Sequence, residues 1–285
     1  MLEELFQRMD GAYSKNTIRA YKQDFQHFVI WCQAKQIVPL ASPVDNFADF
    51  VVQESQQYQA VTVERRISSL RSLFTLLGLV DITKHIEIKL AMKRLYRTKG
   101  RNQQQAIPLT RPILQKLIAV CSDDLTGMRD RVLLSLGYET MRRRSELCAF
   151  TFADLCDLPG DRCALNLRFS KTDQYGQGRL VAISAELRLL INEWQAKVGG
   201  DSYILRGVRG NQVTHSFAPA SVNRILRKLQ DKAKLDLPAF LSGHSFRVGA
   251  AVDMMGDGAS FGQIMLKGGW KCESMVMRYL RSMVL

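Results

Sequence analysis

No apolar run in this chain approaches the roughly 18–20 residues that a membrane-spanning helix needs. The opening segment, MLEELFQRMDG, is acidic where a secretory leader would be basic and then apolar. The sequence therefore reads as soluble and cytoplasmic. Cysteines are too few for a disulfide scaffold: Cys32, Cys121, Cys148, Cys156, Cys163 and Cys272 are scattered over 285 residues. They form no C-x-x-C pair and have no neighbouring histidine, so no zinc spacing is present and they read as buried or incidental thiols. No repeat or low-complexity tract is apparent. With 46% hydrophobic and 24% charged residues, neither wholesale disorder nor a fibrous architecture fits.

Acidic residues are the conspicuous shortage. Against 27 Asp and Glu stand 40 Lys and Arg, leaving a net charge of +13. Like charges repel and do not stabilise a fold, so the excess speaks about partners, polyphosphates first among them. The charge is also uneven. Between Thr62 and Arg101 ten basic residues face three acidic ones, which points to a phosphate-tracking surface. Arg65, Arg66, Arg71, Lys93, Arg94 and Arg101 are its candidate nucleic-acid contacts.

Periodicity predicts mainly α structure with a small antiparallel sheet. Ser14 or Asn16 caps a long helix whose apolar positions Ile18, Tyr21, Phe25, Phe28, Val29 and Cys32 recur at spacings of three and four. Further helices are expected over 44–58, 62–77 and 84–97. A polar, basic segment over 98–107 reads as a linker between an all-helical domain, 1–97, and an α+β domain, 108–285. In the second domain strands are expected over 162–169 and 178–183 around a turn holding Lys171, with Tyr203–Leu205 as a third. Helices follow over 185–198, 220–234, 244–255, 261–266 and 274–281.

Three clusters could do chemistry. In Ser242-Gly-His-Ser-Phe-Arg247, His244 and Arg247 lie three apart at a helix start, where the helix dipole favours an anion, and the small Gly249, Ala250 and Ala251 allow close packing. In Arg142-Arg-Arg-Ser-Glu146, a helix would turn only one arginine inward, and Arg143 is the one that Glu146 can hold by a charge-assisted hydrogen bond. A fixed guanidinium grips phosphate bidentately, as lysine cannot. Late in the chain come Gly268-Gly-Trp270 and Tyr279. Taken singly, each reads equally well as structure.

In their order, Arg143-x-x-Glu146, a turn lysine at Lys171, His244-x-x-Arg247, Gly-Gly-Trp270 and Tyr279 together resemble the tyrosine recombinases, the phage integrase family. Trp270 stands where most members carry His, and Met141 where many carry Gly. The resemblance covers nearly the whole chain and implies a helical core-binding, SAM-like N-terminal domain before the catalytic one, closing as a clamp on DNA. It also implies an enzyme that cleaves and rejoins DNA through a 3′-phosphotyrosine on Tyr279 and exchanges strands between two sites. Arg143, Lys171, His244, Arg247 and Trp270 would act on the phosphate, with Glu146 behind Arg143. No metal and no cofactor are expected. The implied partners are double-stranded DNA bearing inverted repeats and other copies of the chain, two per site and four on paired sites. Six residues follow Tyr279, fewer than family members commonly have, so either protomers couple through other surfaces or the chain is truncated. A type IB topoisomerase-like relaxing enzyme and a non-catalytic DNA-binding protein remain alternative readings.

Overall fold

The structure, a computed structural model, describes residues 2–41, 44–101, 105–170, 176, 178–200 and 202–280. The chain divides into two compact units, Met1–Gln104 and Gln105–Leu285. No helix among the described residues is long and apolar enough to cross a membrane.

The first unit is all helical: α1 (Leu2–Arg8), α2 (Lys15–Ala34), α3 (Val44–Gln57), α4 (Ala60–Leu76) and α5 (Ile86–Lys99). Ser14 starts α2, its hydroxyl accepting the Thr17 N–H at 3.1 Å. The expected three-and-four stripe buries Phe25, Phe28 and Cys32. Phe28 meets Phe47 and Phe50 with ring centroids 5.3 and 5.0 Å apart, joining α2 to α3. Helix α5 begins later than periodicity suggests because two caps intervene. Asp81 caps a short turn at Ile82–Lys84, and the His85 ring then accepts the Glu87 N–H at 3.4 Å.

The second unit contains α6 (Arg111–Ala119), α7 (Leu125–Thr140) and the single turn α8 (Arg144–Leu147). Strands β1 (Leu155–Leu158), β2 (Arg162–Leu167) and β3 (Arg179–Ile183) follow, then α9 (Ala185–Val198) and a small hairpin of β4 (Val208–Arg209) and β5 (Gln212–Val213). The chain continues through α10 (Pro219–Lys232), α11 (Ser245–Gly256), α12 (Phe261–Gly268) and α13 (Glu273–Leu280). Helix α7 is the central pillar. Its Val132, Leu133, Leu134 and Leu136 are all fully buried, because this stretch of the helix is apolar on every face. Helices α6, α9 and α11 pack on it. An added Cβ at Gly137 would lie 2.7 Å from the Phe246 ring, and one at Gly249 would lie 1.9 Å from the Leu109 carbonyl oxygen. These two glycines let α11 approach α7 and the segment before α6.

The sheet is antiparallel in the order β1-β2-β3, with Leu165 opposite Val181. Its third strand is not the expected Tyr203–Leu205. That segment makes only an isolated bridge from Tyr203 to Thr151, and Ile204 and Leu205 are buried in the core. The third strand is β1, at the edge opposite β3 and turned into β2 by Pro159-Gly160-Asp161, where Gly160 and Asp161 take positive φ of 73° and 54°. The β2–β3 connection carries Lys171, which lies outside the described residues.

Candidate active site

A small apolar cluster under the C-terminal helices, made of Met141, Ala250, Ala251, Ile264, Trp270, Val276 and Leu280, brings α11, α12 and α13 together. On this base the separate sequence clusters converge. His244 immediately precedes α11, and its Nε2 lies 2.9 Å from the hydroxyl of Tyr279 on α13. The Tyr279 ring also lies against Trp270, centroids 5.5 Å apart. Trp270 in turn faces Arg247, whose guanidinium carbon sits 4.6 Å from the indole centroid.

The two arginines are held differently. Arg143 is extended (φ −68°, ψ 153°) at the start of α8, where its N–H donates to Glu146 Oε2 at 3.1 Å and its Nη1 to Oε1 at 2.7 Å. Burial would raise the Glu146 carboxyl, but the hydrogen bonds and charge of Arg143 outweigh it and hold that carboxyl below its ordinary value. Arg247 is 1% exposed and its Nη1 donates to the Met141 carbonyl. Met141 ends α7 in the left-handed region (φ 54°, ψ 32°), at a steric cost of about 1–2 kcal/mol for a residue with a Cβ. That turn aims its carbonyl at Arg247. The Arg247 Nε is buried with no hydrogen-bond partner among the described residues.

This crowding of cations shifts ionisation. Burial first, then Arg143, lowers Arg247 to about 10, so it remains charged at neutral pH. The atoms packed around the ring, then Arg247, then Arg143, hold His244 below its ordinary value, so its imidazole is neutral near pH 7. A neutral ring protonated on Nδ1 would accept a proton from Tyr279 through Nε2.

The expectation that one arginine of the 142–144 run turns inward is corrected. Helix α7 ends at Thr140 and α8 begins at Arg144, so the intervening backbone is not helical and both Arg142 and Arg143 turn in. Arg142, 2% exposed, is the more deeply buried. Its Nε donates to the Thr140 carbonyl at 2.6 Å, and its Nη2 to the Lys267 carbonyl. Nothing in residue spacing could have distinguished it.

The cations of the first unit behave otherwise. Arg66, read as a DNA contact, is turned inward: it pairs with buried Glu54 and lies 4.0 Å over the Tyr58 ring. Arg65 pairs with buried Asp24, and Arg71 donates to Thr83 at 2.8 Å. Arg101 sits 3.8 Å over Tyr96 with Glu64 at 3.6 Å. Lys93 and Arg94 are exposed on α5 and form no ion pair among the described residues.

The Phage integrase family model matches residues 108–284, and that family's N-terminal SAM-like domain matches residues 3–78. The chain belongs to the phage integrase family. As a tyrosine site-specific recombinase, it is an enzyme that cleaves and rejoins DNA. It is 27% identical over 290 residues to an integrase/recombinase xerD homolog of Selenomonas ruminantium, covering 96% of this chain and 83% of that relative. It is 24% identical over 294 residues to Recombinase cre of Escherichia phage P1, covering 95% and 85%. In fold it is similar to one chain of a lambda integrase tetramer bound to a Holliday junction, with TM-score 0.67 and 14% identity over 98% of this chain and 75% of that one.

Proposed function

We propose that this family member exchanges strands between two DNA sites, with Tyr279 as nucleophile and His244, Arg143, Arg247 and Trp270 as the groups that act on the scissile phosphate. The observation that carries the reading is the 2.9 Å approach of His244 Nε2 to the Tyr279 hydroxyl, beside Arg247. A tyrosine hydroxyl ordinarily ionises near pH ~10, so attack at neutral pH requires a base, and a neutral imidazole at hydrogen-bond distance meets the geometric condition. The Tyr279 oxygen bonds to phosphorus, the bond from phosphorus to the 5′-oxygen breaks, and the chain is left joined through a 3′-phosphotyrosine. The departing 5′-oxygen takes a proton, for which Lys171 in the β2–β3 turn is the donor carried over from the family resemblance.

The phosphodiester already bears negative charge, and the five-coordinate transition state concentrates more on its non-bridging oxygens. Fixed cations contribute most there. Arg143, locked by Glu146, and Arg247, locked by the Met141 carbonyl, supply that charge without a metal, and the Trp270 indole N–H adds a donor. Glu146 positions Arg143 and does not react. The phosphotyrosine conserves the bond energy for resealing, so no nucleotide cofactor is needed.

For the whole protein the reading is a helical core-binding domain, 1–97, a linker, 98–107, and a catalytic domain, 108–285, acting in the cytoplasm. The partners are inverted-repeat duplex DNA, two protomers per site, and other copies of the chain in a tetramer on paired sites, a reading supported by the lambda integrase tetramer bound to a Holliday junction. Lys93 and Arg94 in the first domain and Arg101 in the linker are the remaining candidates for phosphate contact. A nicked suicide substrate tests the chemistry. Wild type should leave a denaturation-resistant protein–DNA adduct and Tyr279→Phe none; an adduct in both would remove Tyr279 from the role. With two cognate sites, strand-exchanged products are expected, and relaxed circles alone would overturn recombination in favour of a topoisomerase.

A further inference from the structure

Arg142 is a buried cation outside the set assigned to the phosphate. It has no carboxylate partner among the described residues; its hydrogen bonds go to backbone carbonyls, one at Thr140 before the Met141 turn and one at Lys267 near the end of α12. Arg179, from the start of β3, donates to the adjacent Leu266 carbonyl. The last carbonyls of a helix lack intrahelical donors and carry the negative end of its dipole, so two guanidiniums are well matched to them.

The glycines that follow explain what this arrangement controls. Gly269 leaves α12 in the left-handed region at φ 68°, and a Cβ there would lie 3.0 Å from Nη1 of both Arg142 and Arg179. A Cβ on Gly268 would lie 2.0 Å from the Trp270 ring. The turn is thus pinched between the two guanidiniums on one side and the Trp270 indole on the other, and Trp270 leaves it to lie between Arg247 and Tyr279. Arg142 also braces the 140–142 backbone, whose Met141 carbonyl receives Arg247.

We propose that Arg142 is a positioning residue for the cleavage step: by tying the end of α12 to the Met141 turn, it sets where Trp270, and through it Tyr279 and Arg247, stand. Arg179 is the second, more exposed strut of the same arrangement. Placing a cation here is electrostatically costly, since burial and then Arg247 lower Arg142 to about 9 although the Glu146 charge favours it. A guanidinium with two bonded carbonyls fixes a distance that a leucine or methionine of similar bulk would leave loose.

This inference rests on the catalytic reading above, and its test separates the two. The full chain is labelled with 5-fluorotryptophan, whose three 19F resonances report Trp31, Trp194 and Trp270; Trp270→Phe assigns the last. In Arg142→Met the Trp270 resonance should move while the other two stay. Adduct formation at saturating DNA should slow on the order of 10- to 100-fold, as for a reacting group displaced by a fraction of an ångström, with the DNA dissociation constant within about twofold, since the phosphate ligands remain. Gly269→Ala, which pushes on the same contact from the other side, should move the same resonance. Arg142→Lys, able to reach one carbonyl, should recover part of the rate, and it carries the measurement if the methionine variant does not fold. An unmoved Trp270 resonance, or a loss confined to DNA affinity, overturns the proposal. If wild type forms no adduct, the catalytic reading fails, while the resonance still reports whether Arg142 sets Trp270.

Discussion

The arginine cluster on α4 of the helical unit and the arginine cluster at the candidate site are held in opposite ways. In the helical unit Arg65, Arg66 and Arg71 are matched to Asp24, Glu54 and Asp81, so their charge is largely neutralised within the domain. In the second unit Arg142, Arg143 and Arg247 crowd together with Glu146 as the nearby carboxylate, and two of the three are depressed below their ordinary value. A cation paired inside a bundle serves the fold, since its removal strands a buried carboxylate. One left underpaired in a pocket awaits an anion, and that electrostatic imbalance is what a phosphate relieves.

The comparison is broken most directly at the second set. Arg143→Ala or Arg247→Ala should each slow adduct formation by on the order of 10²–10³-fold, as when a preorganised donor to a developing oxyanion is removed. Single-turnover kinetics on the suicide substrate measures this. A variant that lost affinity but cleaved normally once bound would place these arginines with ordinary phosphate contacts. Next in size is Arg66→Ala. It leaves the Glu54 carboxylate, 5% exposed, with the His27 ring at 2.8 Å and no arginine, and should cost about 3 kcal/mol of stability. A lower denaturation midpoint with an unchanged salt dependence of DNA binding is the expected pair of results; an unchanged midpoint would mean that Arg66 is not a structural cation.

A smaller effect is expected at exposed Lys93 and Arg94. If these track phosphates, each alanine substitution should reduce the slope of log affinity against log salt by about 0.9, with cleavage at saturation unaltered. Filter binding across a salt series decides it. The result that would sharpen the contrast is a slope change at Lys93 and none at Arg66.

How much of this could be read beforehand follows from what each feature depends on. Helices such as 185–198 and 44–57 were legible because burial on one face writes a three-and-four period into the sequence. The resemblance of Arg143, His244, Arg247, Trp270 and Tyr279 to one family was legible because the chemistry needs those side chains in order. Strand β1 was not, since it is four residues long and its pairing depends on two positive-φ residues, one of them Asp161. The identity of the paired arginines was not either. Arg65, Arg66 and Arg71 look alike in a basic run, and only the packing of α2 and α3 against α4 and α5 brings Asp24 and Glu54 to two of them. Arg142 escaped because the end of α7 at Thr140 has no Gly or Pro to mark it; Met141 takes the left-handed turn instead.

The smallest effect, and the one that tests the electrostatics alone, is the titration of His244. The packed surroundings, then Arg247, then Arg143, lower it from 6.5, so free protein should show its imidazole protonating below that value. Between 6.5 and the lowered value the unfolded chain binds the proton and the folded one does not. The His244 contribution to stability is therefore fully present above pH 6.5 and is lost as pH falls through the interval down to the folded value. Arg143→Gln removes one of the two repelling cations and should raise the His244 midpoint, and DNA phosphate should raise it further by screening both. Histidine ring signals followed against pH, with His244→Gln assigning the resonance among the four histidines, measure all three. A midpoint at or above 6.5 in the free protein would show that the arginines are already neutralised without DNA, and the contrast between the two units would then lose its electrostatic basis.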